Sequence, residues 1–132
     1  MLRGTLLTAL AALALVAAGC GGESTATRAG ADVSKGKELF VAACSSCHTL
    51  ADAGAQGRVG PNLDDAFGYD REQCFDDSSF FDVTLAQIDI PSRDGAMPAD
   101  IYKGQDAVDV AAYVAKVAGA DQPCAADAAP SS

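Results

Sequence analysis

Two thiols and the chain's one histidine stand within five residues, Cys44, Cys47 and His48 in the run CSSCH. Several chemistries share that spacing. A thiol pair three positions apart can cycle with its disulfide, as in thioredoxin-like redox motifs, or simply close a structural disulfide. Cys44, Cys47, Cys74 and either His48 or Cys124 would supply the four ligands of a tetrahedral zinc site. Both thiols can also add to the two vinyl groups of one porphyrin, with the following imidazole free to bind its iron. Positions i and i+3 share a helix face, so the last task asks only that a helix carry the motif to one side.

The elements around the motif favour that third chemistry. The segment DVSKGKELFVAACSSCH places Val33, Gly36, Phe40, Ala43 and Cys47 at intervals of three and four, with Lys35, Lys37 and Glu38 elsewhere on the turn. This predicts a helix over about 33–46, capped by Asp32 or Ser34. The thiol pair therefore closes a helix, whereas a redox motif is expected near a helix start in a βαβ setting, and no second close pair of ligands supports zinc. Residues 49–65, rich in glycine and holding Pro61, read as loop, and residues 66–80 as irregular and acidic. A short helix is expected over about 81–88, stopped before Pro91, followed by a second loop, SRDGAMPAD. In GQDAVDVAAYVAKVAG, residues Ala107, Val110, Ala111, Val114, Val117 and Ala118 form one apolar stripe. Asp106 suits that helix's start, Lys116 its last turn and Gly119 its stop. No alternation persists long enough for a strand of useful length, so the fold class is all-α.

Composition bounds the rest. At 132 residues the chain holds one domain. It lacks tryptophan and has only five phenylalanines and three tyrosines, so a domain this small needs disulfides, a metal or a cofactor to complete its core. Residues 1–19 have a single Arg near the start and an apolar run, 6–18, broken only by Thr8. The run is shorter than the roughly 20 residues of a membrane span and has the form of a secretory signal. Its end, VAAGCGG, resembles the lipobox of bacterial lipoproteins, although Ala17 stands where leucine is commonest. That resemblance implies a lipid on Cys20 and a membrane anchor, with residues 20–32 as a flexible tether. Cleavage without lipid would leave a soluble periplasmic or secreted protein. Either route places the domain outside the cytoplasm, where disulfides persist. The net charge of −9 excludes nucleic acid and bare anionic lipid as natural partners and favours a basic protein surface.

Four signatures stand in order over residues 33–119: GKELFVAACSSCH, GPNL, GAMP and AAYVAKVAG. In this combination the chain resembles the class I cytochromes c, small mono-haem domains with the attachment motif near the N-terminus. The resemblance implies a cytochrome c fold whose first and last helices cross, with Gly36 and Phe40 meeting Tyr113 and haem as the core. It implies one haem c, bonded through Cys44 and Cys47, with His48 and Met97 as axial ligands and the Pro61 carbonyl holding His48. Tyr69, Arg93 and Tyr102 are candidates to bond a haem propionate. With those cysteines on haem and Cys20 on lipid, Cys74 and Cys124 are left over. Their disulfide would tie the acidic 70–80 segment to the tail, 120–132. It closes a fifty-residue loop, which the chain-entropy account values at about 4 kcal/mol.

The implied function is one-electron transfer between redox proteins on the extracytoplasmic side of a membrane, not enzymatic catalysis. Other roles for the same domain are a fixed haem subunit of a larger oxidase or dehydrogenase, or a peroxidase-like or gas-binding protein with Met97 off the iron. The acidic residues Asp64, Asp65, Asp70, Glu72, Asp76, Asp77 and Asp82 either steer the protein to a basic docking surface or serve solubility alone.

Overall fold

The computed structural model of the chain describes Arg28, residues 30–91 and residues 95–126. Residues 1–19, Cys20 and Arg93 lie outside the described residues. Among the described residues four α-helices carry the fold: α1 (Val33–Leu39), α2 (Leu63–Glu72), α3 (Asp77–Asp89) and α4 (Gly104–Val117). A two-residue antiparallel pair, β1 (Thr49–Leu50) with β2 (Ala55–Gln56), sets Thr49 opposite Gln56 and Leu50 opposite Ala55. The domain is all-α apart from this clip.

Helix α1 begins where Asp32 accepts the backbone N–H groups of Ser34 and Lys35, at 2.9 and 3.0 Å, satisfying donors that the first turn leaves orphaned. It runs on through a π-helical turn, Phe40–Cys44, in which Ser45 N–H donates to the Phe40 carbonyl. Such turns add a residue to the helix and gather at functional sites. Here the turn sits directly before the CSSCH motif.

Residues 66–80 depart from expectation, for they are mostly helical. Asn62 caps α2 by accepting Asp64 N–H at 3.0 Å, and Asp64 and Asp65 complement the helix dipole. Asp76 caps α3 by accepting Ser78 and Ser79 N–H, so α3 starts at Asp77, four residues before the predicted start. The tail is tied back: Cys74 and Cys124 form a disulfide, and Ala125 N–H donates to the Glu72 carbonyl. Beside it Arg71 donates to the Ala118 and Ala115 carbonyls, at 2.8 and 2.5 Å, and lies over the Phe80 ring. One guanidinium thus satisfies the last carbonyls of α4 from another helix.

Helix α4 is buried nearly all round, wider than the predicted stripe, since Val108, Asp109, Tyr113 and Ala115 are buried as well. One side packs Val108, Ala111 and Ala115 on Phe80 and Phe81 of α3. The other crosses α1 at Gly36. A Cβ on Gly36 would overlap the Asp109 carbonyl oxygen and stand 2.8 Å from Tyr113 Cβ, so only glycine permits this approach. Beside it Phe40 and Tyr113 meet edge to face, with centroids 5.8 Å apart. The Tyr113 hydroxyl donates to Asp52 at 2.7 Å, and Lys37 pairs with the same carboxylate at 2.9 Å.

The segment just before α1 is also held to the body, which shortens the expected tether. Arg28 pairs with Asp82 and lies 4.4 Å from the Phe81 ring centroid. The Gln105 amide donates to the Gly30 carbonyl at 3.4 Å, and Asp32 N–H donates to Asp109 at 2.9 Å.

Asp109 is 1 % exposed, and burial alone would raise its pKa. The Asp32 N–H, the Gln105 amide and the Lys35 ammonium outweigh burial and leave the carboxyl below its usual range. A carboxyl depressed in the folded state stabilises the fold above its unfolded pKa of about 3.9, and that contribution is lost as pH falls through the folded value. Asp109→Asn should therefore melt below the native protein at neutral pH. The gap in Tm should close as the pH is lowered below about 4. Thermal melts of both proteins across the acid range check this; a gap independent of pH would refute it.

Candidate functional site

The CSSCH motif is fixed by backbone bonds on both sides. Cys47 and His48 N–H donate to the Cys44 carbonyl, continuing the helical turn, while Gly60 N–H donates to the Cys47 carbonyl at 2.8 Å and Gly57 N–H to the His48 carbonyl at 3.2 Å. The loop from 57 to 61 thus lies along the motif, and its glycines are required there. A Cβ at Gly57 would stand 2.5 Å from the Cys47 carbonyl carbon, and one at Gly60 2.5 Å from His48 Cε1. The next residue but one after Gly60 caps α2, and the carbonyl between them is the key acceptor. His48 Nδ1–H donates to the Pro61 carbonyl at 3.0 Å, which leaves Nε2 as the ring nitrogen with a free lone pair.

Cys44, Cys47, His48, Pro61 and Met97 all line one cavity of about 530 Å³. Its walls are Phe40 from α1, Leu63 and Phe67 from α2, Val83 and Ile88 from α3, and Val110 and Val114 from α4. The Met97 loop is pinned at its far end, where Asp100 N–H donates to the Ile88 carbonyl at 2.9 Å and the Tyr102 hydroxyl to the Leu39 carbonyl at 2.9 Å. Asp100 takes φ 56° there, a left-handed conformation that Asp tolerates better than most residues. Burial, and then the neighbouring Cys47, push the Cys44 thiol up to about 11. A thiol so placed is a poor thiolate and is ill suited to redox cycling.

A porphyrin with two thioether bonds and axial ligands fits this cavity by size, by wall chemistry and by donor set. The volume lies within the range of cofactor pockets, and the walls are apolar apart from a few placed groups. One of these is Thr84 Oγ1, a buried hydroxyl that lines the cavity and has no hydrogen-bond partner among the described residues. A buried orphan hydroxyl costs about 1–3 kcal/mol, a cost that a polar group on a bound cofactor would relieve. Nothing in the residue spacing distinguished Thr84 beforehand. The propionate candidates fare differently: Tyr69 is exposed, Tyr102 spends its hydroxyl on Leu39, and neither lines the cavity. Asp70 does line it.

These features define a small helical domain of the c-type haem class. The cytochrome c family model matches residues 33–118, and the chain belongs to that family, whose mono-haem members hold haem c through cysteine thioethers and transfer electrons. A cytochrome c of Ulva intestinalis is 49% identical over 37 residues, 28% of this chain and 32% of that protein, so the match spans about a third of the relative's length. The crystal structure of the c-type cytochrome SorU from Sinorhizobium meliloti is similar with a TM-score of 0.51 and 35% identity. That likeness covers 66% of this chain and 91% of the other.

Gly60→Ala tests the loop's hold on the imidazole. The added methyl meets the His48 ring at Cε1 and Nδ1, 2.5 and 2.8 Å away, so the ring must turn and its bond to Pro61 must break. The variant should mature with less haem and show a displaced His48 resonance set by NMR; an unchanged ring environment would refute the assignment.

Proposed function

We propose that the protein is a one-electron carrier, held by lipid on Cys20 to the extracytoplasmic side of a bacterial membrane and using a haem c with His48 and Met97 as axial ligands. One observation carries the reading: a single apolar cavity collects both thiols, an imidazole whose Nδ1 is already committed to Pro61, and the loop thioether. In this reading residues 1–19 are a signal peptide, residues 20–32 a lipidated tether, residues 33–119 the cytochrome domain and residues 120–132 a tail tied through Cys124. Among the described residues no helix is long and apolar enough to cross a membrane.

Bound haem supplies a one-electron iron couple. The chain's residues decide how it is used. His48 is oriented by the Pro61 carbonyl and Met97 offers a soft thioether; together they would form a ligand pair that raises the reduction potential. The walls from α1, α3 and α4 keep water from that face. With His48 and Met97 both holding the iron, no position would remain for a small molecule to bind and react, which favours carriage over peroxidase-like chemistry. Oxidised and reduced visible spectra should show six-coordinate low-spin iron that ignores carbon monoxide, and the colour should stay with the polypeptide in acidified organic solvent. Met97→Ala should open the sixth position, giving a high-spin ferric form and carbon monoxide binding when reduced, with haem still attached. A native protein that already binds carbon monoxide would overturn the ligand set.

Its partners are redox proteins, and the acidic charge favours one with a basic docking surface. Many of the acidic residues singled out from the sequence do structural work. Asp64 accepts Ala51 and Gly119 N–H, Asp65 accepts the Asn62 amide, Asp76 caps α3, and Asp77 and Asp82 pair with arginines. Steering then comes from net charge over distance, while exposed Val59, Ala66 and Val83 at the cavity supply contact. Association rates with a basic redox partner should fall as ionic strength rises; a flat dependence would reduce the charge to a solubility feature.

A further inference from the structure

The segment preceding α1 is seated on one side of the domain, and the cofactor cavity opens into another. On α3, Arg28 holds Asp82 and covers Phe81, whereas Val83, Thr84 and Gln87 face the cavity. At 3.6 residues per turn, Asp82 lies about 100° to 160° round the helix from those three. Helix α4 repeats the arrangement independently. Gln105 and Asp109 hold Gly30 and Asp32, and they lie about 100° to 180° round from the cavity residues Val110 and Val114. Two helices therefore place the seat behind the wall that the cavity faces.

We infer that this seat orients the domain on a lipid surface, holding the cofactor cavity away from the bilayer and toward partners in the aqueous phase. The inference rests on lipid attachment at Cys20. Covalent reach decides it. Eight peptide steps separate Cys20 from Arg28, at most about 27 Å of chain. A domain of about 100 residues has a radius of gyration near ~13 Å, equivalent to a sphere of radius about 17 Å. Wrapped on that sphere, the chain lets the domain roll by about a quarter turn, too little to bring the opposite side of the domain against the bilayer. Freeing the segment as far as Val33 extends the reach to about 44 Å and the roll to about 150°. The seat therefore sets which face a tethered molecule presents.

The test uses the lipidated, haem-loaded full chain on phosphatidylcholine vesicles carrying a headgroup fluorophore, which the haem quenches by energy transfer at short range. The native protein should quench weakly. Arg28→Glu sets two acids against each other at the seat and should raise the quenching, with visible spectrum and Tm unchanged. Adding Asp82→Arg restores an opposite-charge pair and should lower it again. Inserting a Gly/Ser stretch between Cys20 and Arg28 offers a second route to higher quenching with the seat intact. Equal quenching in all four vesicle-bound proteins would overturn the orientation while leaving the anchor standing. A native chain that fails to float with the vesicles would sink the anchor, and the orientation with it.

Discussion

The close crossing of α1 and α4 at Gly36 is the constraint on which the rest depends. No side chain separates the helix backbones there, and the approach is locked on both sides of the crossing: by Phe40 against Tyr113, and by buried Asp109 accepting from the Asp32 backbone. Fixing that crossing fixes two things at once. The end of α1 delivers Cys44, Cys47 and His48 to one wall of the cavity, and α4 delivers Val110 and Val114 to another. A displaced crossing would move the imidazole relative to the opposite loop, and a coordination geometry tolerates little such movement. The Tyr113 phenol is part of the same lock. Burial and its bond to the Asp52 carboxylate hold it well above the usual tyrosine range, so it stays a donor throughout the physiological range.

Second in importance is the way backbone carbonyls are used as fasteners. Pro61 holds the imidazole, Leu39 holds Tyr102, Ile88 holds Asp100, and Ala115 and Ala118 hold Arg71. Carbonyls move less than long side chains, so a site fastened to them is stiff. Stiffness suits electron transfer, because an iron whose two axial donors barely shift between oxidation states has little to reorganise when an electron arrives. The disulfide from Cys74 to Cys124 and the Arg71 stack over Phe80 extend the same logic to the far end of α4.

How much of this was readable from residues alone depended on pattern strength. Helices α1 and α4 carry strong periodicity; α1 starts at the residue predicted, while α4 starts at Gly104, two residues before the Asp106 assigned to its first turn, and α1 ends sooner because the chain widens into a π-helical turn at Phe40. Helix α2 was missed because only Leu63 and Phe67 among its larger apolar residues keep a helical period, Gly68 is a poor helix former, and most of the remainder is charged. Its start was nonetheless visible in Asn62 followed by two acids. The start of α3 was placed late because DDSS reads as turn, although these residues also cap helices. At the site, CSSCH was legible because its spacing has a chemical reason, and Pro61 and Met97 through the resemblance of GPNL and GAMP to the family's loops; the structure gathers all of them round one cavity. Thr84 was not, since a hydroxyl on a helix acquires meaning only when its neighbours fail to bond it.

The acidic residues show why composition misleads about surfaces. A run of carboxylates from 64 to 82 suggests a single patch, yet helical geometry distributes it. Asp64 turns inward to hold the β1–β2 connection and the end of α4 together, Asp76 is consumed by a cap, and Asp82 binds the segment leading into α1. What remains is a diffuse negative field around a cavity rim that is largely apolar. A field of that kind attracts at distances near the Debye length, of order 10 Å in physiological salt, but contributes little once surfaces touch. On the proposed reading the final contact would fall to small apolar groups, which suits a carrier that must leave one partner to reach the next.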